Sequence, residues 1–176
     1  MRVRILPGVQ KKPRFFPIGA FLFTWDLMLF EEEKYRFMHA ALKEAEKAFE
    51  KDEVPIGAVV VHNGKIVGRG HNQTETLNDA TAHAEMIAIT SASATLGSKY
   101  LDECELFVTA EPCLMCSGAI LLSRLPKIYF GTFEPKFGAA GSVHNVFGNK
   151  NNIEIYSGLL AEESKSLLNA FFKKLR

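Results

Sequence analysis

The stretch IGAVVVHNGKIVGRG, residues 56–70, sets the architecture that the rest of the chain completes. Residues 56–61 form an apolar run rich in β-favouring side chains, and residues 65–70 predict a second strand. The dipeptide Asn63-Gly64 between them is a strong signal for a tight two-residue turn. The stretch therefore predicts a β-hairpin.

Outward from the hairpin, helical and extended patterns alternate. Apolar residues recur at steps of three and four over 31–51, which predicts a helix that Val54-Pro55 ends. We expect further helices over 82–96, 113–123 and 161–174, and further strands over 105–109, 127–131 and 153–156. This order predicts an α/β fold in three layers (α/β/α), with a mixed five-stranded sheet flanked by helices on both faces.

The composition is that of one globular domain. The chain has 176 residues, of which 47% are hydrophobic and 23% charged, enough for a single core. It contains no run of eighteen apolar residues, so no membrane span is expected. Residues 1–27 carry five basic side chains and one acidic, a net +4 that leaves residues 28–176 at −3. A nucleic-acid partner would therefore need a local basic patch.

Residues 1–27 differ in character from the rest. A basic start and an apolar middle suggest a signal peptide, but Pro17 and Asp26 interrupt the apolar stretch and no small-residue cleavage site follows. The absence of serine argues against an organellar transit peptide. We expect residues 1–27 to be an extension outside the domain, produced by a start site upstream of Met28, and residues 28–176 to form the domain.

Two short motifs carry the chemistry of the chain. Thr81-Ala82-His83-Ala84-Glu85 opens one predicted helix, and Pro112-Cys113-Leu114-Met115-Cys116 opens the next. Two thiolates and one imidazole suit zinc, and three protein ligands leave the open fourth position of a catalytic site. We therefore predict that His83, Cys113 and Cys116 bind one zinc ion.

A structural zinc site would need a fourth ligand, and the remaining candidates are weak. Cys104 lies in an apolar, strand-like context and is expected in the core. His39 and His62 suit the surface or ordinary packing, and His144 lies in a polar loop. His71 ends a predicted strand directly before Asn72, and the sequence leaves open whether it approaches the metal site.

Glu85 lies two residues beyond His83, and helix positions i and i+2 point apart. A second ligand from the same turn is therefore disfavoured, whereas a carboxylate beside a metal can move protons. The alternative interpretation is an acid that only stabilises the start of a helix.

The pattern H-x-E…P-C-x-x-C resembles the cytidine/deoxycytidylate deaminase superfamily. From Glu32 to the C-terminus the chain resembles, within it, the bacterial tRNA-specific adenosine deaminases. The matching pieces are residues 53–59, Asn72, residues 81–86, residues 108–113, Met115, Cys116, Gly118, Ala119, Lys136 and residues 138–142. The last of these is the most specific, because deaminases of free bases and nucleosides are not expected to share it.

The resemblance implies a zinc hydrolase with one Zn²⁺ per subunit that converts the wobble adenosine of an arginine tRNA to inosine. Glu85 would be the general acid/base. It also implies a cytoplasmic homodimer that binds a tRNA anticodon loop and no membrane. The apolar faces of the helices that begin at Cys113 and Ala161 are the candidate dimer interface.

The resemblance also implies which residues meet the substrate. The flipped purine would contact Asn72, Val54, Pro55 and Ala84, and RNA contacts would come from Glu134, Lys136, Phe172, Lys174 and Arg176. Composition alone allows a core-facing pair of phenylalanines, ordinary helix-end cations and a solvated loop acid at these last positions. Family members usually carry an aspartate where this chain has Glu134-Pro135-Lys136, which leaves the fine substrate choice open.

Two other functions compete with this prediction. One is a deaminase of a free base or nucleoside, acting on guanine, cytosine or cytidine. The other is a zinc module that binds RNA without catalysis, against which Glu85 argues, since a structural site needs no proton shuttle.

Overall fold

The computed structural model describes residues 4–5, 18–148 and 153–175, with side chains from Glu32 onward. Arg176, a predicted RNA contact, lies outside this part of the chain. The described residues form six strands and four helices: Arg4–Ile5 (β1), Ile18–Glu50 (α1), Gly57–His62 (β2), Lys65–His71 (β3), Ala84–Leu96 (α2), Cys104–Ala110 (β4), Leu114–Leu122 (α3), Lys127–Thr132 (β5), Glu154–Ser157 (β6) and Ala161–Lys174 (α4).

The strands form one mixed sheet in the order β1-β6-β5-β4-β2-β3. The hairpin strands β2 and β3 are antiparallel, and β2 also runs antiparallel to β4. From β4 outward through β5 and β6 the neighbours are parallel, as expected where helices connect the strands. The predicted mixed sheet of five strands is confirmed, within about two residues at each boundary.

A sixth strand, β1, adds to the edge of that sheet. Its two residues, Arg4 and Ile5, pair in parallel with Tyr156 and Ser157. Sequence patterns did not indicate it, because a segment of two residues is too short to display alternation.

Helix α1 begins at Ile18, thirteen residues before the predicted start. Residues 20–30 contain neither proline nor glycine, so no residue in that stretch interrupts a helix that continues from residue 31. The helix therefore runs through Met28. Within the described residues, no helix is both long enough and apolar enough to cross a bilayer.

Alternate residues of the strands face two separate cores. One core lies under α2 and α3, and the other lies under α1. In β2, Ala58 and Val60 face the first core, whereas Val59 and Val61 face the second. The sheet is thus covered on both sides, and the predicted three-layer α/β arrangement is confirmed.

Close packing of α2 on β3 positions the start of α2. A Cβ atom at Gly70 would lie 2.2 Å from the carbonyl oxygen of Ala84, so only glycine fits there. On the helix, Ala84, Ala88 and Ala92 are fully buried. Small residues on both partners therefore allow the helix axis to approach the sheet closely, which fixes the position of the residue before α2, His83.

Candidate active site

The two motifs meet where α2 and α3 begin. His83 is the N-cap of α2 and Cys113 is the N-cap of α3, both with extended backbone angles. Cys116 follows in the first turn of α3. Each helix starts one or two residues later than predicted, because these two residues cap the helices and are not part of them. The positive ends of two helix dipoles thus point at the same place, which stabilises anionic thiolates there.

Three side chains converge between the helix starts. The Nδ1 atom of His83 lies 3.7 Å from the Cys113 sulfur and 3.6 Å from the Cys116 sulfur. All three donor atoms lie within 4.8 Å of one another. Zinc bonds of about 2.3 Å to sulfur and about 2.0 Å to nitrogen at a tetrahedral angle separate such atoms by about 3.5 Å. The donor set and its spacing therefore fit a zinc ion.

The part of the chain that the structure describes offers no fourth ligand to this cluster. Cys104 is buried in the core, as expected, and His39 and His144 are exposed. His62 faces Glu103. His71 points toward α1, with Nδ1 3.6 Å from Glu44 and Nε2 3.1 Å from Lys51, so it does not join the site. Three ligands and an open position are the arrangement of a catalytic zinc site.

The two thiols have opposite tendencies to ionise. The hydrogen bond from Cys116 lowers the pKa of Cys113 to about 4, and the bond to His83 adds to this effect. The same interaction with Cys113, together with burial, raises the pKa of Cys116. The protein alone thus favours one thiolate, and a divalent cation at the cluster would remove the second proton.

Glu85 is buried beside the cluster and is not among the three donors. Its side chain is 4% exposed, and this burial raises its pKa to about 7, although the nearby His83 charge opposes the shift. A carboxyl group that holds and releases a proton near neutral pH is suited to general acid/base catalysis.

Asn72 lies at the end of β3, where the prediction placed a residue that binds the base. It is buried, and its backbone N–H donates to the carbonyl of Ile56. That bond joins the end of β3 to the segment that follows Val54 and Pro55, of which Pro55 is buried and Val54 partly exposed. Ala84 is fully buried in the core, so its side chain is not open to a substrate.

Sequence reasoning assigned no role to Glu53, which the structure places next to Asn72. Its carboxylate accepts hydrogen bonds from Asn72 Nδ2 (3.1 Å) and from the backbone N–H groups of Glu75 (3.3 Å) and Thr76 (2.6 Å). The signal in the sequence was that Glu53 begins the stretch 53–59, one of the pieces that carry the family resemblance, although no role was assigned to it.

Glu111, directly before Pro112, was missed in the same way. Its buried carboxylate accepts hydrogen bonds from the backbone N–H groups of Glu134 (3.1 Å), Ala140 (2.9 Å) and Ser142 (3.0 Å). One side chain thus holds both ends of the loop over 134–142, which follows β5. The loop carries the stretch on which the family resemblance depends most.

The predicted RNA contacts in this loop differ in their surroundings. The Glu134 carboxylate accepts a bond from the Lys136 backbone N–H (2.8 Å), so it stabilises its own loop. The Lys136 side chain is exposed.

The two phenylalanines of α4 face different surroundings. Phe171 is buried, with its ring 6.3 Å from that of Phe49, whereas Phe172 is 50% exposed. Lys174 forms an ion pair with Asp52 in the turn after α1. Of the two phenylalanines, only Phe171 faces the core. The ion pair of Lys174 with Asp52 places the end of α4 beside the residue that precedes Glu53.

Comparisons with known proteins agree with this site. The family model for the cytidine and deoxycytidylate deaminase zinc-binding region matches residues 31–132, and the chain belongs to this family. A tRNA-specific adenosine deaminase of Aquifex aeolicus (strain VF5) is 48% identical over 145 residues, which cover 81% of this chain and 96% of that protein. Within the family, the chain therefore groups with the tRNA-specific adenosine deaminases.

Solved structures share the fold. A chain from structural studies of tRNA:A34 deaminases that edit A to I at the wobble position matches with a TM-score of 0.72 and 44% identity, covering 75% of this chain and 98% of that one. A guanine deaminase from Nitrosomonas europaea matches with a TM-score of 0.70 and 25% identity, covering 78% and 83%. The predicted deaminase family and fold are confirmed.

The loop over 134–142 has no space for a side chain at Gly138. A Cβ atom there would lie 2.4 Å from Glu111 Oε2 and 2.5 Å from the Glu134 carbonyl oxygen. We expect Gly138→Ala to disorder the loop and to lower stability by about 1–3 kcal/mol, as overpacking does, with zinc content unchanged. Thermal unfolding and metal analysis measure both.

The control is Lys165→Ala, at an exposed position in α4 away from this loop and from α3. That variant should be as stable as the parent within about 0.5 kcal/mol, as is usual for exposed substitutions. If Gly138→Ala unfolds at the same temperature as the parent, the loop is less constrained than the Glu111 contacts indicate.

Proposed function

We propose that this protein is a zinc-dependent hydrolase that deaminates the wobble adenosine of an arginine tRNA to inosine. The observation that carries the proposal is the cluster of His83, Cys113 and Cys116 with one open position and the buried Glu85 beside it. The proposal that the substrate is a tRNA rests on the name of the Aquifex relative and on the matching loop over 134–142. The proposal that it is an arginine tRNA rests on the family resemblance alone.

In this mechanism the three ligands hold one Zn²⁺ per subunit between the two helix starts. When bound, zinc supplies the Lewis acidity that makes water a strong nucleophile at neutral pH. Glu85 would accept one proton from the attacking water and deliver it to the ring nitrogen, and would then carry a second proton, from the hydroxyl group formed on C6, to the amine, which leaves as ammonia. Asn72 hydrogen-bonds the flipped purine, while Val54, Pro55 and the Ala84 backbone line its surroundings.

An anticodon loop is single-stranded, so its bases can turn outward into such a pocket. On this proposal Glu134, Lys136, Phe172, Lys174 and Arg176 contact the RNA, and the enzyme works in the cytoplasm where tRNA is modified. The exposed ring of Phe172 is available for stacking on a base, and the ion pair of Lys174 with Asp52 is at the surface, where exchange for a phosphate costs little.

The second candidate is deamination of a free base or nucleoside. The fold shared with the guanine deaminase of Nitrosomonas europaea favours it. Ammonia release from guanine, cytosine and cytidine, compared with release from an anticodon stem-loop, separates the two candidates. Rapid release from the small molecules with none from the RNA would replace our proposal.

The central test uses purified protein and total bacterial tRNA, with inosine detected by sequencing. We expect inosine at the wobble position of an arginine tRNA, loss of activity with a zinc chelator and recovery when zinc is restored. Glu85→Ala should lower the rate by about 10²–10⁴-fold, the usual effect of removing a general acid/base, with zinc still at one per subunit. Glu103→Ala, which removes an exposed acid, is the control. Substantial turnover by Glu85→Ala would disprove the mechanism.

We also infer a homodimer in which α3 faces the partner. Leu114 is 52% exposed and Leu122 is 81% exposed. Two large apolar side chains exposed to solvent on one short helix are a common mark of a protein–protein interface. We expect Leu122→Glu to halve the molecular mass measured by light scattering, because burying a charge at an interface is costly. Leu77→Glu, an exposed leucine outside α3, should leave the mass unchanged. A parent protein that is monomeric would contradict the inference.

The RNA-binding role of the C-terminal residues has its own test. Deleting residues 173–176 should weaken binding of an anticodon stem-loop and flatten its salt dependence, because each lost phosphate contact lowers the slope of log affinity against log salt by about 0.7–0.9. Zinc content should not change. Lys165→Ala, at an exposed position earlier in α4, is the control. Equal slopes for the parent and the deletion would refute the role.

A further inference from the structure

Glu53 is a fully buried acid whose hydrogen-bond partners all come from one short loop. Its side chain is 0% exposed, and its carboxylate accepts bonds from residues 72–76: Asn72 Nδ2, Thr74 Oγ1, and the backbone N–H groups of Glu75 and Thr76. Among the described residues, no lysine or arginine forms an ion pair with it. A buried charge is costly unless it is fully hydrogen-bonded, so this loop must be ordered around it.

The carboxylate determines which way the amide of Asn72 faces. Burial alone would raise the pKa of Glu53, but the bonds from Thr76, Glu75 and Thr74 together outweigh burial and lower it. Glu53 is therefore ionised at neutral pH and can only accept hydrogen bonds. The NH₂ group of Asn72 must face it, and the opposite orientation would set two oxygens against each other.

Both hydrogens of that NH₂ group are used. Asn72 Nδ2 lies 3.1 Å from Glu53 Oε2 and 3.1 Å from Thr74 Oγ1. Thr74 in turn lies 3.3 Å from Glu53, which closes a triangle of hydrogen bonds. The carbonyl oxygen Oδ1 of Asn72 has no hydrogen-bond partner within the described chain and is not one of its buried unpartnered atoms. It is the atom of the amide left to meet a substrate.

We propose that Glu53 is a positioning residue that fixes the Asn72 amide, so that Asn72 presents a hydrogen-bond acceptor to the nucleotide. This inference rests on the proposed function, in which Asn72 binds the flipped nucleotide. Glu53 touches no substrate itself, and it acts by holding Asn72 and the loop over 72–76. It therefore belongs to substrate selection, separately from the metal cluster.

A purely structural role for Glu53 would also order the loop, and a thermodynamic cycle distinguishes the two. Glu53→Gln should lower kcat/KM on an anticodon stem-loop by about tenfold or more, the effect of losing a hydrogen bond to a charged group. If Glu53 acts through Asn72, the double variant Glu53→Gln/Asn72→Ala should match Asn72→Ala within about twofold, because coupled residues are not additive. If Glu53 has only a structural role, the loss of kcat/KM in the double variant should equal the product of the losses in the two single variants.

Exchanging donor and acceptor makes the test sharper. Asn72→Asp places a second carboxylate against Glu53, so we expect loss of activity of about a hundredfold or more from like-charge repulsion. In Glu53→Gln/Asn72→Asp, the glutamine NH₂ donates to the aspartate, while an aspartate oxygen still faces the substrate. We expect this double variant to be at least tenfold more active than Asn72→Asp. Recovery is partial, because the glutamine NH₂ also meets the Glu75 N–H.

Two measurements, zinc content and thermal unfolding, identify variants that do not fold. The control is Glu105→Gln, near the start of β4, which removes the acid of the ion pair with Lys34. Its effect on kcat/KM should multiply with that of Asn72→Ala, because the two residues are not coupled. An inactive, zinc-loaded parent would overturn the proposed function. An active parent with multiplied losses, or with no recovery in the exchange variant, would overturn the role of Glu53.

Discussion

The close contact of α2 with β3 is the constraint on which the site depends. Gly68 and Gly70 leave no room for side chains, since an added Cβ would lie within 2.3 Å of a helix carbonyl oxygen. This contact sets where α2 starts, and therefore where His83 lies relative to the start of α3. Two helix N-termini then point at a pair of thiols, and their dipoles favour the negative charge that a zinc site needs. Packing and electrostatics thus act on the same point.

Two buried carboxylates organise the loops around that point by the same physical means. Glu53 holds the loop over 72–76 through two side chains and two backbone N–H groups, and Glu111 holds the loop over 134–142 through three backbone N–H groups. A buried carboxylate needs several donors, and irregular backbone supplies them where a helix or strand would already have used them. Each acid therefore converts a loop with no regular structure into an ordered wall of the site.

The sequence predicted what depends on local patterns. The hairpin turn at Asn63-Gly64, the alternating elements and the three metal-binding candidates follow from short motifs, and the structure brings His83, Cys113 and Cys116 together. What the sequence missed depends on contacts between distant residues. Glu53 and Glu111 look like ordinary acids until the loops fold over them, and Lys174 looks like a free cation until α4 packs beside Asp52. The start of α1 was missed because residues 1–27 were expected to lie outside the domain, whereas the helix begins at Ile18.

The comparison with guanine deaminase indicates where substrate choice resides. That enzyme shares the fold at a TM-score of 0.70 with only 25% identity, so the fold alone does not determine whether a free base or a nucleotide in RNA is accepted. On the proposed function, the distinction comes from the residues that surround the cluster of His83, Cys113 and Cys116. In this chain those surroundings are the two loops held by Glu53 and Glu111, and a change such as Glu134-Pro135 alters one of them without touching the metal ligands. On this proposal chemistry and selectivity are carried by different residues, which allows one to vary while the other is retained.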